Sequence, residues 1–86
     1  MKKIVIAFKS RNTLQLFAKI MKAHSIPTEI INTPRSISIS CGLSARTDFR
    51  FYNSIIILLQ NAKLEGFLGL YLLERQGLRE QTQRLY

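Results

Sequence analysis

This chain has one cysteine, no tryptophan, two prolines and four glycines in 86 residues. A lone cysteine excludes an internal disulfide and fits a reducing, cytoplasmic setting. Carboxylates are scarce too: five Asp and Glu stand against thirteen Lys and Arg, a formal net charge of +8. The five acids lie far apart in sequence, so no carboxylate pair for acid–base chemistry is evident. One cysteine and one histidine cannot complete a structural zinc site, which takes about four protein ligands. No glycine-rich phosphate loop follows the first apolar segment, and nothing brings a serine, a histidine and an aspartate together as a triad. No cofactor is implied. Long hydrophobic runs are missing as well. The most apolar window, residues 51–73, is broken by Asn53, Gln60, Asn61, Lys63 and Glu65, which argues against a membrane span. The opening "MKKIVIAF" ends its apolar run at Phe8, too short for a secretory leader.

What is present is a core-forming composition, 47% hydrophobic and rich in isoleucine and leucine. A chain this short is one domain, burying about 60% of its unfolded surface. "KIVIAF" (3–8) is short, apolar and β-branched, as a buried strand is. Ser10 is placed to cap a helix in which Leu14, Phe17, Ala18 and Met21 recur at helical spacing. That helix is expected to stop near His24, because Pro27 biases Ile26 away from helical backbone. Residues 28–32 read as a second strand, 42–46 as a short third one, and 35–41 as irregular. Asp48 caps a second helix with Phe51, Ile55, Leu58, Leu59 and Ala62 as its stripe. Residues 66–73 are a last strand, and 74–86 a polar C-terminal tail. The order β-α-β-β-α-β predicts a ferredoxin-like α+β sandwich over residues 1–73. Its four-stranded antiparallel sheet would carry both helices on one face.

That topology gathers Lys9, Ser10, Arg11, the start of the first helix, Arg35, Cys41 and the loop around Lys63 at one end. Arg46 and Asp48 fall near the other, roughly 16 Å away at strand rise. A thiol is mostly protonated at neutral pH, with an ordinary pKa of about 8.5, and its thiolate needs positive potential and access. Helix N–H groups, Lys9, Arg11 and Arg35 would supply the potential, and Gly42 lets backbone approach the sulfur. The opposing reading is as simple: unpaired cysteines are often buried space-fillers, and on spacing alone that reading comes first for Cys41. His24 is expected to serve the negative end of its helix, and Pro34 to end an edge strand.

The basic charge keeps an acidic partner open, nucleic acid included, although no run of like charges forms a basic tail. An RNA-reading sheet of this strand order displays aromatics on its open face. Here the first strand has only Phe8, and the third has none. Phe67 and Tyr71 share a parity on the last strand, leaving the central stacking positions unfilled. Leu16, Ile20, Ile56 and Ile57 lie off the main helical stripes and leave homo-oligomerisation open.

"FKS" after the first strand and "TPRSISISCGLSAR" further on resemble the small bacterial single-cysteine domains of the selenium/sulfur carrier-like family. The matching positions are Phe8, Lys9 and Ser10, then Pro34, Arg35, Ser40, Cys41, Gly42 and Arg46. Ser44 stands where a small apolar residue is ordinary. The resemblance implies a cytoplasmic carrier that holds sulfur or selenium on Cys41 as a persulfide-like adduct. It would exchange the chalcogen with a donor or acceptor protein such as a cysteine desulfurase, without turnover of its own. Arg35 and Lys9 are the expected anion stabilisers, while Arg46 is expected to pair structurally at the far end. The alternative is a non-catalytic binding or adaptor module for a protein or nucleic acid, with Cys41 structural.

Overall fold

The computed structural model describes residues 1–37, 42–62 and 64–86. Ser40, Cys41 and Lys63 lie outside the described residues. The elements are β1 (Lys2–Phe8), α1 (Arg11–Ala23), β2 (Glu29–Asn32), β3 (Leu43–Asp48), a 3-10 turn (Phe49–Phe51), α2 (Tyr52–Asn61), β4 (Phe67–Gln76) and β5 (Arg79–Arg84). The strands form a single antiparallel sheet in the order β2-β3-β1-β4-β5.

The fold is therefore α+β, with a five-stranded sheet where four strands were expected. The extra strand comes from residues 74–86. They hold the end of β4 and all of β5, not a free polar tail. The two strands are joined at Gly77, whose φ of 60° lets the chain reverse in two residues between Gln76 and Arg79. "REQTQR" has no apolar alternation, because most of β5 is exposed. Backbone pairing with β4 holds it, helped by the Arg75–Glu80 ion pair at 2.9 Å.

One face of the sheet carries the main core. Ile4, Ile6 and Phe8 of β1 pack with Leu14, Phe17 and Met21 of α1, Ile55 of α2, Ala45 and Leu70. Ser10 begins α1, its hydroxyl accepting the Thr13 N–H at 3.4 Å. The helix ends in a left-handed residue, Ser25 at φ 59°. The Ile26 N–H then reaches back to the Met21 carbonyl (2.9 Å) and the Ser25 N–H to that of Lys22 (3.0 Å). This closing motif satisfies carbonyls the helix leaves free and tucks Ile26 into the core. Asp48 accepts the Arg50 N–H at 2.9 Å and starts the 3-10 turn that leads into α2. The isoleucine triplet 55–57 is helical, and among these three only Ile55 is fully buried.

On the other face, Val5 and Ala7 of β1, Ser44 of β3 and Leu73 of β4 are also buried, at most 5% exposed. The Ser44 hydroxyl is satisfied by that of Thr33, 2.6 Å away. Thr33 extends the β2–β3 ladder by one bond, its N–H donating to the Gly42 carbonyl at 3.1 Å. Pro34 has no N–H and ends it. Among the described residues no helix is long and apolar enough to cross a membrane.

Candidate functional site

β1 ends at Phe8, and the two residues after it enter α1 at the same edge where β3 begins. Lys9 is fixed there through its backbone, its N–H donating to the Gly66 carbonyl at 2.6 Å. Gly66, at φ 78°, brings the α2–β4 connection against it. A β-carbon on residue 66 would stand 3.3 Å from the Lys9 β-carbon. Ser10 caps the helix, so Arg11 is its first residue.

These elements enclose a cleft of about 110 Å³ lined by Phe8, Lys9, Arg11, Gly42 and Leu43. Phe8 is held from behind by Phe17 and Phe67, with ring centroids 5.5 and 5.7 Å away. Lys9 and Arg11 are exposed, and Gly42, the residue after Cys41, is exposed as well. Among the described residues, none of the five that line it is acidic, and the first turn of α1 has no acid either. The positive end of the helix and two cations thus share one small hollow without internal neutralisation, an arrangement that favours an anion.

The other residues singled out by sequence are spread more widely. Arg35 is exposed in the turn after Pro34, outside the lining of the cleft. Arg46 lies toward the opposite end of β3, where its guanidinium pairs with Glu29 at 3.1 Å. It borders a different hollow, of about 300 Å³, together with Lys3, Asp48 and Arg50. His24 closes α1, with Nδ1 2.9 Å from the Ile20 carbonyl. Arg11 is the lining residue that sequence reasoning counted only as a nearby charge. Its signal was its place directly after the Ser10 cap.

Phe67 and Tyr71 do not share a face, contrary to what their spacing predicts. The register shifts between Ala7 and Phe8, so that Phe8 pairs with Phe67 while Ala7 pairs with Gly69. Leu68 is the extra residue, and this bulge reverses the alternation. Phe67 consequently packs on the helical side, against Phe8 and Tyr86. Tyr71 lies opposite Val5 on the other face.

Residues 3–67 match the family model described as "Putative Se/S carrier protein-like". The chain belongs to that family. No curated protein and no solved structure matches it. The part matched to the Se/S carrier-like family runs from β1 through α2 to the first residue of β4, so it contains every residue lining the cleft. The rest of β4 and all of β5 lie outside it.

Proposed function

We propose that this protein carries sulfur or selenium on the thiol of Cys41 and passes it between partner enzymes, without catalytic turnover of its own. The observation that carries this reading is the meeting of Lys9, Arg11 and the start of α1 at Gly42, the residue covalently next to Cys41. A thiolate beside such a cleft gains charge stabilisation that a free cysteine lacks. Lys9 and the Ser10-capped helix start serve as the main stabilisers, Arg35 adds a charge from the turn, and Gly42 keeps the approach open. Pro34 ends the β2–β3 ladder before the segment, and Arg46 braces the far end through Glu29.

Loading is a displacement at sulfur. The Cys41 thiolate attacks the outer sulfur of a donor persulfide, the donor's S–S bond breaks, and its thiolate leaves as a new S–S bond forms on Cys41. No net oxidation occurs, and no cofactor is needed. Selenium would follow the same displacement. The donor class is a cysteine desulfurase or an equivalent persulfide enzyme, and the setting is the cytoplasm. The strand order of β1 to β4, with α1 and α2 packed against the same face of β1, supports a ferredoxin-like sandwich over residues 1–73, extended by the β5 hairpin.

Intact-mass measurement after incubation with a cysteine desulfurase and cysteine tests this. The expected result is a gain of one sulfur, removed by a reducing phosphine and absent in Cys41→Ser. An unchanged mass overturns the carrier reading. Nucleic-acid affinity that falls steeply with salt and ignores Cys41→Ser would then favour the binding-module reading.

A further inference from the structure

The helix-free face of the sheet has its own cover, and the cover is tied down by a strand outside the family match. Ser44 on β3 and Thr82 on β5 point to this same face. Ser44 is opposite Ala7, Thr82 is opposite Leu73, and Leu73 is opposite Lys3, which shares a parity with Ala7 on β1. Three strand spacings, roughly 14 Å, and an offset of four residues along β1, roughly 13 Å, separate them. The segment after β2 is bonded to both. Thr33 meets the Ser44 hydroxyl at 2.6 Å, and the Thr82 hydroxyl donates to the Ser36 carbonyl at 3.4 Å. Between these anchors a turn is closed by the Ile37 N–H on the Pro34 carbonyl at 2.9 Å. Val5, Ala7 and Leu73, on the strands between the two anchors, are buried although α1 and α2 pack on the opposite side. Residues 33–37 therefore cross β1 and β4 from one side of the sheet toward the other.

We infer that Thr82 is a positioning residue: through Ser36, the C-terminal hairpin holds the segment that leads into Cys41. The effect on the thiol rests on the carrier reading, whereas the effect on the segment does not. A loosened segment leaves the chain that leads into Cys41 less constrained next to Gly42, so on the carrier reading the thiolate loses part of its stabilisation.

Thr82→Val keeps the shape and strand preference but removes the donor, and Thr82→Ser restores it. Limited trypsin cleavage after Arg35 in the intact chain should be about threefold faster or more in Thr82→Val, because cleavage follows the population of the open segment. The Ile37 amide should exchange correspondingly faster, and β1 and β3 amides should be unchanged. Thr82→Ser should behave as wild type. Alkylation of Cys41 by iodoacetamide at fixed pH should slow in Thr82→Val alone. Equal cleavage in Thr82→Val and wild type overturns the tie. Faster cleavage with an unchanged or faster alkylation rate overturns the positioning role. Neither result bears on whether Cys41 gains sulfur in the mass experiment, so the two readings fail separately.

Discussion

The ring of Tyr71 lies directly over the backbone of Gly69, two residues earlier on β4. A β-carbon built on residue 69 would stand 2.9 Å from Tyr71 Cε1 and 3.1 Å from its hydroxyl oxygen. Gly69 is opposite Ala7, so two small residues side by side make the shelf on which the ring rests. An aromatic laid over a strand glycine covers backbone that would otherwise be bare. Gly69→Ala should cost about 1–3 kcal/mol through overpacking. In a Tyr71→Ala background the same change should cost less, because the ring clash is gone and only the strain of a side chain at φ 159° is left. Denaturant unfolding of the four proteins checks this. Equal costs in both backgrounds would remove the ring from the explanation.

Ser44 is fully buried on the same face, and Thr33 is its partner at 2.6 Å. A polar side chain is fully buried there, and the threonine hydroxyl makes that burial tolerable. Ser44→Ala should destabilise by about 0.5–1.5 kcal/mol, the net worth of one hydrogen bond, with Thr33 left short of a partner. The double variant Thr33→Val, Ser44→Ala should recover most of the loss, since removing both partners leaves nothing unsatisfied. Thermal melts of the singles and the double read the result directly. A double variant as unstable as the sum of the singles would mean that the pair is not coupled.

Much of this fold was legible because the apolar spacing was strong and the breakers were local. Residues 4–8 of β1 are an unbroken apolar run, α1 has a cap, a stripe and a downstream proline, and their order places Lys9 and Gly42 at one edge. What escaped was structure held by the backbone or by an irregularity. β5 is polar on both sides, so neither a period of two nor an apolar run marks it. Its only cue is Gly77 in a two-residue turn. The bulge at Leu68 is a one-residue event that composition does not announce, yet it sends Phe67 and Tyr71 to opposite faces. The tie from Thr82 to Ser36 joins residues 46 positions apart. No local pattern encodes such a contact.

The end of α1 carries a residue in an uncomfortable conformation. Ser25 sits at φ 59°, where a β-carbon crowds the following carbonyl and glycine is the usual occupant. Its backbone still closes the helix, through the Ser25 and Ile26 N–H groups. Ser25→Gly should stabilise the fold by roughly 0.5–1 kcal/mol, the relieved strain outweighing the added freedom of the unfolded chain. In a domain of this size that raises Tm by about 2–8 °C. Ser25→Val should lower Tm, since a β-branched side chain fits this backbone worst. A glycine variant that melts below wild type would show that Ser25 makes a contact outweighing its strain.

The cleft makes a graded prediction about reactivity. Lys9 and Arg11 line it directly, Arg35 stands outside the lining, and Arg46 is committed to Glu29 toward the other end of β3. If the cleft stabilises the thiolate, iodoacetamide should alkylate Cys41 faster than free cysteine at pH 7. Lys9→Gln and Arg11→Gln should each slow the reaction about two- to threefold, a modest factor because exposed charges act through screening solvent. Arg35→Gln should slow it less, and Arg46→Gln not at all. Raising the salt concentration should shrink the advantage of wild type over Lys9→Gln while leaving the Arg46→Gln comparison flat. Four variants with one common rate would detach the thiol from the cleft. A large effect at Arg46 would move the site to the other end of the sheet.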